Sequence, residues 1–289
     1  GAQYDVGWDV VVGAFYTFRK LGTVVEDLSV DGGNNYFIGN PGVAPDAGIV
    51  RQLEQEAAAA AQAAAAKPSD GALKQAATFA NDRLNVYKAM VLFPAPKRDY
   101  HAITLTVNKR LSNRFSVLGS YTYSRLLGNY PGPFSPYVNQ LDPNISSQYD
   151  IIDLTVNRNG ALNNDRPHNF KLTGFYVQPL QRIGGALTIS LTFTAISGRP
   201  IQVLGAHAAY GGRQTLILAP GSGGRTPTVT QLDLHLGYEQ RLGPQVRLSL
   251  FGDIVNLLDQ QAVTNIDEEY TFSTVSPIRY GQPSDLKRL

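Results

Sequence analysis

Long stretches of this sequence alternate apolar and polar side chains with a period of two, and no other feature limits the possible folds as strongly. In residues 9–19 the apolar set is Val10, Val12, Ala14, Tyr16 and Phe18. In 101–111, Ile103, Leu105, Val107 and Leu111 alternate with Thr104, Thr106, Asn108 and Arg110. Phe115, Val117, Gly119, Tyr121 and Tyr123 are set against Ser116, Ser120, Thr122 and Ser124. Downstream the same pattern carries Phe170, Leu172, Gly174 and Tyr176, then Leu187, Ile189, Leu191 and Phe193. Leu232, Leu234, Leu236 and Tyr238 follow, and then Val246, Leu248, Leu250 and Ile254. Strict alternation predicts strands with one greasy face and one wet face.

What covers the greasy face decides the fold class. Ordinary strands run ~5–6 residues. Ten residues at ~3.3 Å each, tilted by ~40°, cross roughly 25 Å, the height of the apolar band of an outer-membrane barrel. The connections are sorted by length: short turns near Gly7–Trp8, Ser112–Asn113, Pro179–Gly184 and Gly243–Pro244, long segments at 20–100, 125–167 and 197–228. Turns at one end and long loops at the other are the plan of an up-and-down transmembrane barrel. Aromatic residues on the greasy face gather at strand ends. Trp8, Tyr176 and Tyr238 sit at turn ends; Tyr16, Phe18, Tyr121, Tyr123 and Phe170 sit at loop ends. Such rings belong at the two headgroup levels of a bilayer, and together they form an expected membrane girdle. The expectation is therefore lipid on one face, water or a plug on the other, and a closed barrel, because hydrocarbon tolerates no unpaired strand edge.

Composition agrees. Of 289 residues only 17% are charged, the net charge is +2, and there is no cysteine. That excludes a disulfide scaffold and a thiolate metal site, and gives no electrostatic reason to expect nucleic acid. No apolar run reaches the roughly 18 residues of a membrane-spanning helix. No leader pattern opens the chain, which begins GAQYDVGWDVVVGAFYTF, already alternating. The fold expected is all-β: an antiparallel up-and-down transmembrane β-barrel, of which this chain supplies a part. That part is about nine strands, counting a stub at 1–6 and a weak segment around 261–272.

Particular phrases carry a resemblance. SYTYSRLLGNYPG (120–132), NDRPHNFKLTGFY (164–176), SGRPI (197–201), GSGGRTP (221–227), TQLDLHLGY (230–238) and DIVNLLDQQ (253–261) resemble the carboxy-terminal barrel of TonB-dependent outer-membrane receptors, in their Oar-like branch. The resemblance implies a barrel of about 22 strands in the outer membrane of a Gram-negative bacterium. It also implies an amino-terminal plug, absent from this chain, that engages the TonB energy-transducing system, and insertion by the barrel assembly machinery. The implied activity is uptake of a scarce nutrient: a metal chelate, a cofactor or an oligosaccharide. A surface role in adhesion or envelope organisation is the alternative, and a soluble all-β binding module a further one.

Candidate sites follow from these faces. Residues 51–66, RQLEQEAAAAAQAAAA, predict a helix by propensity, and a second runs from Ala72 to about Met90. Together they suggest a helical extracellular insertion at about 46–92. Tyr130, Phe134 and Tyr137 in the following long loop could stack on a substrate. Lys171, Asp233, His235, Glu239, Arg247 and Asp253 are expected to face the lumen or contact a plug. Asp165 and Arg166 read as a rim ion pair, and GSGGRTP as a flexible loop. His168 lacks partners at ligand spacing, DGGNN (31–35) reads as turn chemistry, and no metal or cofactor is expected. No GxSxG, HExxH or paired-carboxylate motif suggests catalysis.

Overall fold

A computed structural model describes residues 1–134 and 147–270, and the backbone of 283–287. Eight long strands follow one another in a single antiparallel meander. They are β1 (Ala2–Gly7), β2 (Val10–Lys20), β3 (Arg98–Ser112), β4 (Phe115–Gly128), β5 (His168–Pro179), β6 (Ala186–Ile196), β7 (Val229–Arg241) and β8 (Arg247–Ile254). Chain order is spatial order throughout, with Gly160–Ala161 adding a short pairing beside the end of β4.

The turn end is built tightly. Trp8 (φ 54°) and Asp9 (φ 62°) join β1 to β2, and Asn113 (φ 52°) and Arg114 (φ 72°) join β3 to β4. Two central residues with positive φ make the two-residue turn whose twist matches that of the flanking strands. At the opposite end, segments 21–97 and 197–228 and the described parts of 129–167 form a layer with structure of its own. Two antiparallel helices, α1 (Ala47–Ala66) and α2 (Gly71–Ala89), fill much of the first. Asp46 caps α1 by accepting from the amides of Gly48 and Ile49 at 2.8 and 3.0 Å. Asp70 caps α2 through the amides of Ala72 and Leu73 at 3.0 and 3.2 Å. Both satisfy orphan donors of a first helical turn.

The ninth strand is a correction. Segment 261–272 was expected to extend the wall; instead Ala262–Ile266 pairs with Pro283–Lys287 in a separate two-stranded sheet. Among the described residues β1 pairs only with β2, and β8 only with β7. In hydrocarbon both edges demand further strand partners.

Register places the side chains. Across the wall Tyr16 stands opposite Ile103, Ile103 opposite Tyr123, and Leu105 opposite Tyr121. Tyr121 lies opposite Phe170, Leu172 opposite Phe193, and Leu234 opposite Leu191. One whole face is therefore apolar, as a period of two requires when register holds. Among the described residues nothing covers it: Leu105 is 50% exposed, Leu250 58% and Val12 38%, while Val117 and Leu234 are half-buried. Among the described residues only Ala102 and Leu126 of the long strands join the buried hydrophobic set; apart from Ile266, the rest of that set lies in the loop layer. A soluble all-β module fails here, because it would bury these side chains.

Candidate functional site: two faces and a loop layer

The apolar face carries aromatic rows at both ends. At the turn end Trp8 is 89% exposed. Tyr176 reaches Gln178 at 2.8 Å, and Tyr238 reaches Gln240 at 2.7 Å. Lys109 lies in the same row, its ammonium 4.2 Å from the Phe115 ring centre and 2.6 Å from Ser112 Oγ. That folds the charge back over the turn, as a snorkelling lysine does. At the loop end Tyr16, Phe18, Tyr121, Tyr123 and Phe170 line the face, the first two well exposed. Two histidines that sequence reasoning left without a role join them. His101 Nδ1 lies 2.7 Å from Tyr16 Oη, and His168 Nδ1 lies 2.7 Å from Tyr121 Oη. Strand parity would have placed both on this face, had His101 been followed along its strand.

The opposite face is polar. Thr104 meets Thr122 at 2.9 Å, and Thr173 meets Thr192 at 3.2 Å. Of the charged residues assigned to this face, His235 bonds Asp253 at 2.7 Å, and Arg247 bonds Glu239 at 2.7 Å. Asp233 accepts from the Gln231 side chain and, at 2.9 Å, from the amide of Asn256. That amide bond holds the chain where it leaves β8, and Asn256 supports the turn further by bonding Gln260. Lys171 sits opposite Ser120 and Thr194. These residues share one face, with cross-strand pairing of the kind worth a few tenths of a kcal/mol to about 1 kcal/mol each. Nearer the loops a concavity opens on the polar face. Arg19, Tyr100, Arg98, Asn164, Arg166 and Asn169 line it. Three guanidiniums in one hollow favour anionic groups.

The loop layer holds the surprises. Tyr130 was expected to offer its ring to a substrate; it is 5% exposed, packed with Tyr149, Leu28, Met90 and Phe93, and bonded to Glu26. Its faces are spent on a core. Phe134 is exposed, and Tyr137 lies outside the described residues. Burial raises the Glu26 carboxyl above its usual range, and it pushes Asp150 up to about 6, with Asp27 adding like charge to both. DGGNN is turn chemistry: Asp31 accepts from Ser29 Oγ at 2.6 Å and from the amides of Asn34 and Asn35 at 3.0 Å, and these bonds hold it down at about 2.

Four of the phrases that carried the family resemblance, 120–132, 164–176, 197–201 and 221–227, meet in one knot. Asp165 does not pair with Arg166; it is 1% exposed, bonded to Arg225 and to the amide of Leu126 at 2.6 Å. Arg166 instead donates to the carbonyl of Ser197 at 3.0 Å. Arg199 bonds Glu268 at 2.7 Å, with both groups buried, and also Asn265 and Asn163. GSGGRTP is pinned, with the amide of Gly223 on Ile201 at 3.2 Å and that of Ile201 on Gly224 at 2.9 Å. Gly198 packs so closely on the carbonyl of Thr226 that any side chain there would collide. The repeated glycines and arginines are thus a clasp between loops. Among the described residues no group of three or more His, Asp or Glu could hold a metal ion, and no helix is long and apolar enough to cross a membrane.

Comparison with known proteins agrees with this geometry. Residues 3–238 match the profile of the outer membrane beta barrel domain. Over its whole length the chain is 33% identical to the TonB-dependent transporter Oar of Myxococcus xanthus, and it spans 23% of that protein. No solved structure matches it. With an uncovered apolar face, aromatic rows at both its ends and a polar face behind it, the chain belongs to the outer membrane beta barrel domain family, in the outer membrane of Gram-negative bacteria.

Proposed function

We propose that this chain forms barrel wall and extracellular loops of a TonB-dependent receptor that imports a scarce nutrient: a metal chelate, a cofactor or an oligosaccharide. The observation that carries the reading is the inverted wall, apolar outside and polar inside, and the 33% identity to a TonB-dependent transporter supports the transport role. Energy would arrive from the TonB system through a plug, and insertion would rely on the barrel assembly machinery. The chain has no part in catalysis on this reading. Lys171, Asp233, His235, Glu239, Arg247 and Asp253 would face that plug or the substrate path, and exposed Phe134 remains a candidate for ligand contact. The insertion 46–92 would stand over the extracellular mouth.

Growth of a deletion strain decides between import and the adhesion alternative. Cells are limited in turn for ferric chelate, cobalamin and oligosaccharide. Loss of growth on one of them, restored by the gene, supports import. Unchanged growth on all three with altered cell–cell cohesion would establish the surface role instead.

A further inference from the structure

Three separate long segments meet around two carboxyl groups in the loop layer, and neither the wall nor nutrient uptake accounts for the arrangement. Glu26 comes from 21–97, Asp150 from 129–167, and Tyr210, which bonds Asp150, from 197–228. The segments are tied in a triangle. The amide of Ser29 donates to the carbonyl of Asp150 at 2.6 Å, and the hydroxyls of Tyr36 and Tyr210 lie 2.5 Å apart. A phenol has one proton to give, so with Tyr210 donating to Asp150 it is Tyr36 that donates to Tyr210. A polar chain from Tyr36 through Tyr210 to Asp150 therefore crosses all three segments. Beside it the Tyr130 hydroxyl bonds Glu26, and its ring packs with Leu28 and Tyr149.

The surroundings favour protonated acids. Glu26 is 4% exposed, and among the described residues one of its oxygens has no hydrogen-bond partner, nor has the Tyr149 hydroxyl. An ionised carboxylate is costly in such a place, and a neutral one far less so. The nearby charges do not balance either. Asp27 adds a third carboxyl beside both acids, and the cation acting on Asp150 is Arg158, whose guanidinium bonds the carbonyls of Leu154 and Gln214. The other titratable groups in contact are Tyr149, Arg98 near Tyr130, and His207, which stands edge-on to Tyr210. Burial, the largest cause, holds Glu26 above its usual range and Asp150 at about 6. Raised folded values mean that the packed layer gains from protonation and loses that gain as pH climbs through the folded value.

This core also backs onto the hollow of the polar face. Leu21 packs against the core and lines the hollow, and Arg98 lines the hollow while donating to the carbonyl of Tyr130. Loosening the core therefore loosens the rim of the hollow.

We propose that Glu26 and Asp150 form a proton-held latch between the three loop segments, closed while both carboxyls are protonated and loosened when they ionise. The latch belongs to the loop layer itself and stands for import and for adhesion alike.

The test is hydrogen exchange on the full receptor in detergent from pH 4 to pH 8, corrected for intrinsic rates. Protection of 24–37 and 148–158 should fall about fivefold as pH rises, with its midpoint near 6, while 101–111 in the wall stays flat. Glu26→Gln combined with Asp150→Asn should keep both segments protected across the range. A flat profile in the parent would overturn the latch, and so would a double variant that loses protection as steeply as the parent. Tyr210→Phe gives a second reading that decides alone if the double variant fails to fold. It removes a bond that favours the ionised Asp150, so the midpoint should move to higher pH. Loss of protection by the same factor at every pH, with the midpoint unmoved, would reduce Tyr210 to a structural tie and overturn the latch.

Discussion

The wall and the loop layer of this molecule obey opposite rules. In the wall, Leu105, Leu250 and Ile103 point outward into open surroundings, while Thr104, Thr122 and Asp233 share the inner face. In the loop layer Leu28, Met90, Phe93 and Tyr149 are buried, and the Ala-rich helices present Glu54, Glu56, Arg83 and Lys88 to water, where they pair across α1 and α2. One chain thus carries an inside-out part and an ordinary part. The difference teaches that the solvent, not the residue type, decides which face is inside.

The sharpest way to break the comparison is at the clasp. Arg199→Ala leaves Glu268 buried without its partner, and loss of a buried partner costs about 3–5 kcal/mol. Hydrogen exchange should rise through 197–228 while the wall stays protected. Next comes the wall itself. Leu172→Arg places a cation on the lipid side between Gly119 and Phe193, nearer mid-height than the girdle, and should cost about 2–4 kcal/mol of folding into vesicles, read by urea titration. Thr173→Arg, one residue away on the polar face, should cost far less. Equal costs would mean that the two faces do not see different solvents. A smaller effect is expected at Asp70, whose replacement by Ala removes the α2 cap and should destabilise the helical insertion by about 1 kcal/mol.

The smallest is a pH effect at Asp150. Its folded carboxyl is raised to about 6, above its unfolded value, so the folded state holds the proton more tightly. Stability from this group is present at low pH and is lost as pH rises toward 6. Loop-layer protection, corrected for intrinsic exchange rates, should fall over that interval, and Asp150→Asn should flatten the slope. Solvent at a partly exposed carboxyl keeps the change modest.

The wall was legible residue by residue, since strand parity alone assigned Val12, Leu105, Val117 and Leu234 to one face, and the length of the connections told the two ends apart. The clasp and the loop core were not. Asp165 passes over its neighbour Arg166 for Arg225, and Tyr130 turns into a core made by segments from two different loops. Local spacing carries no information about such partners. His101 and His168 fall between these cases: parity assigns their face, but only the structure shows that each bonds a girdle tyrosine.

By itself the sequence determined which side chains face together, because a period of two in a hydrogen-bonded ladder leaves no freedom once register is set. Only the tertiary structure decided that the loops form a packed layer and that their arginines clasp buried acids. Those contacts join residues far apart in the chain, and chain folding alone brings them within reach.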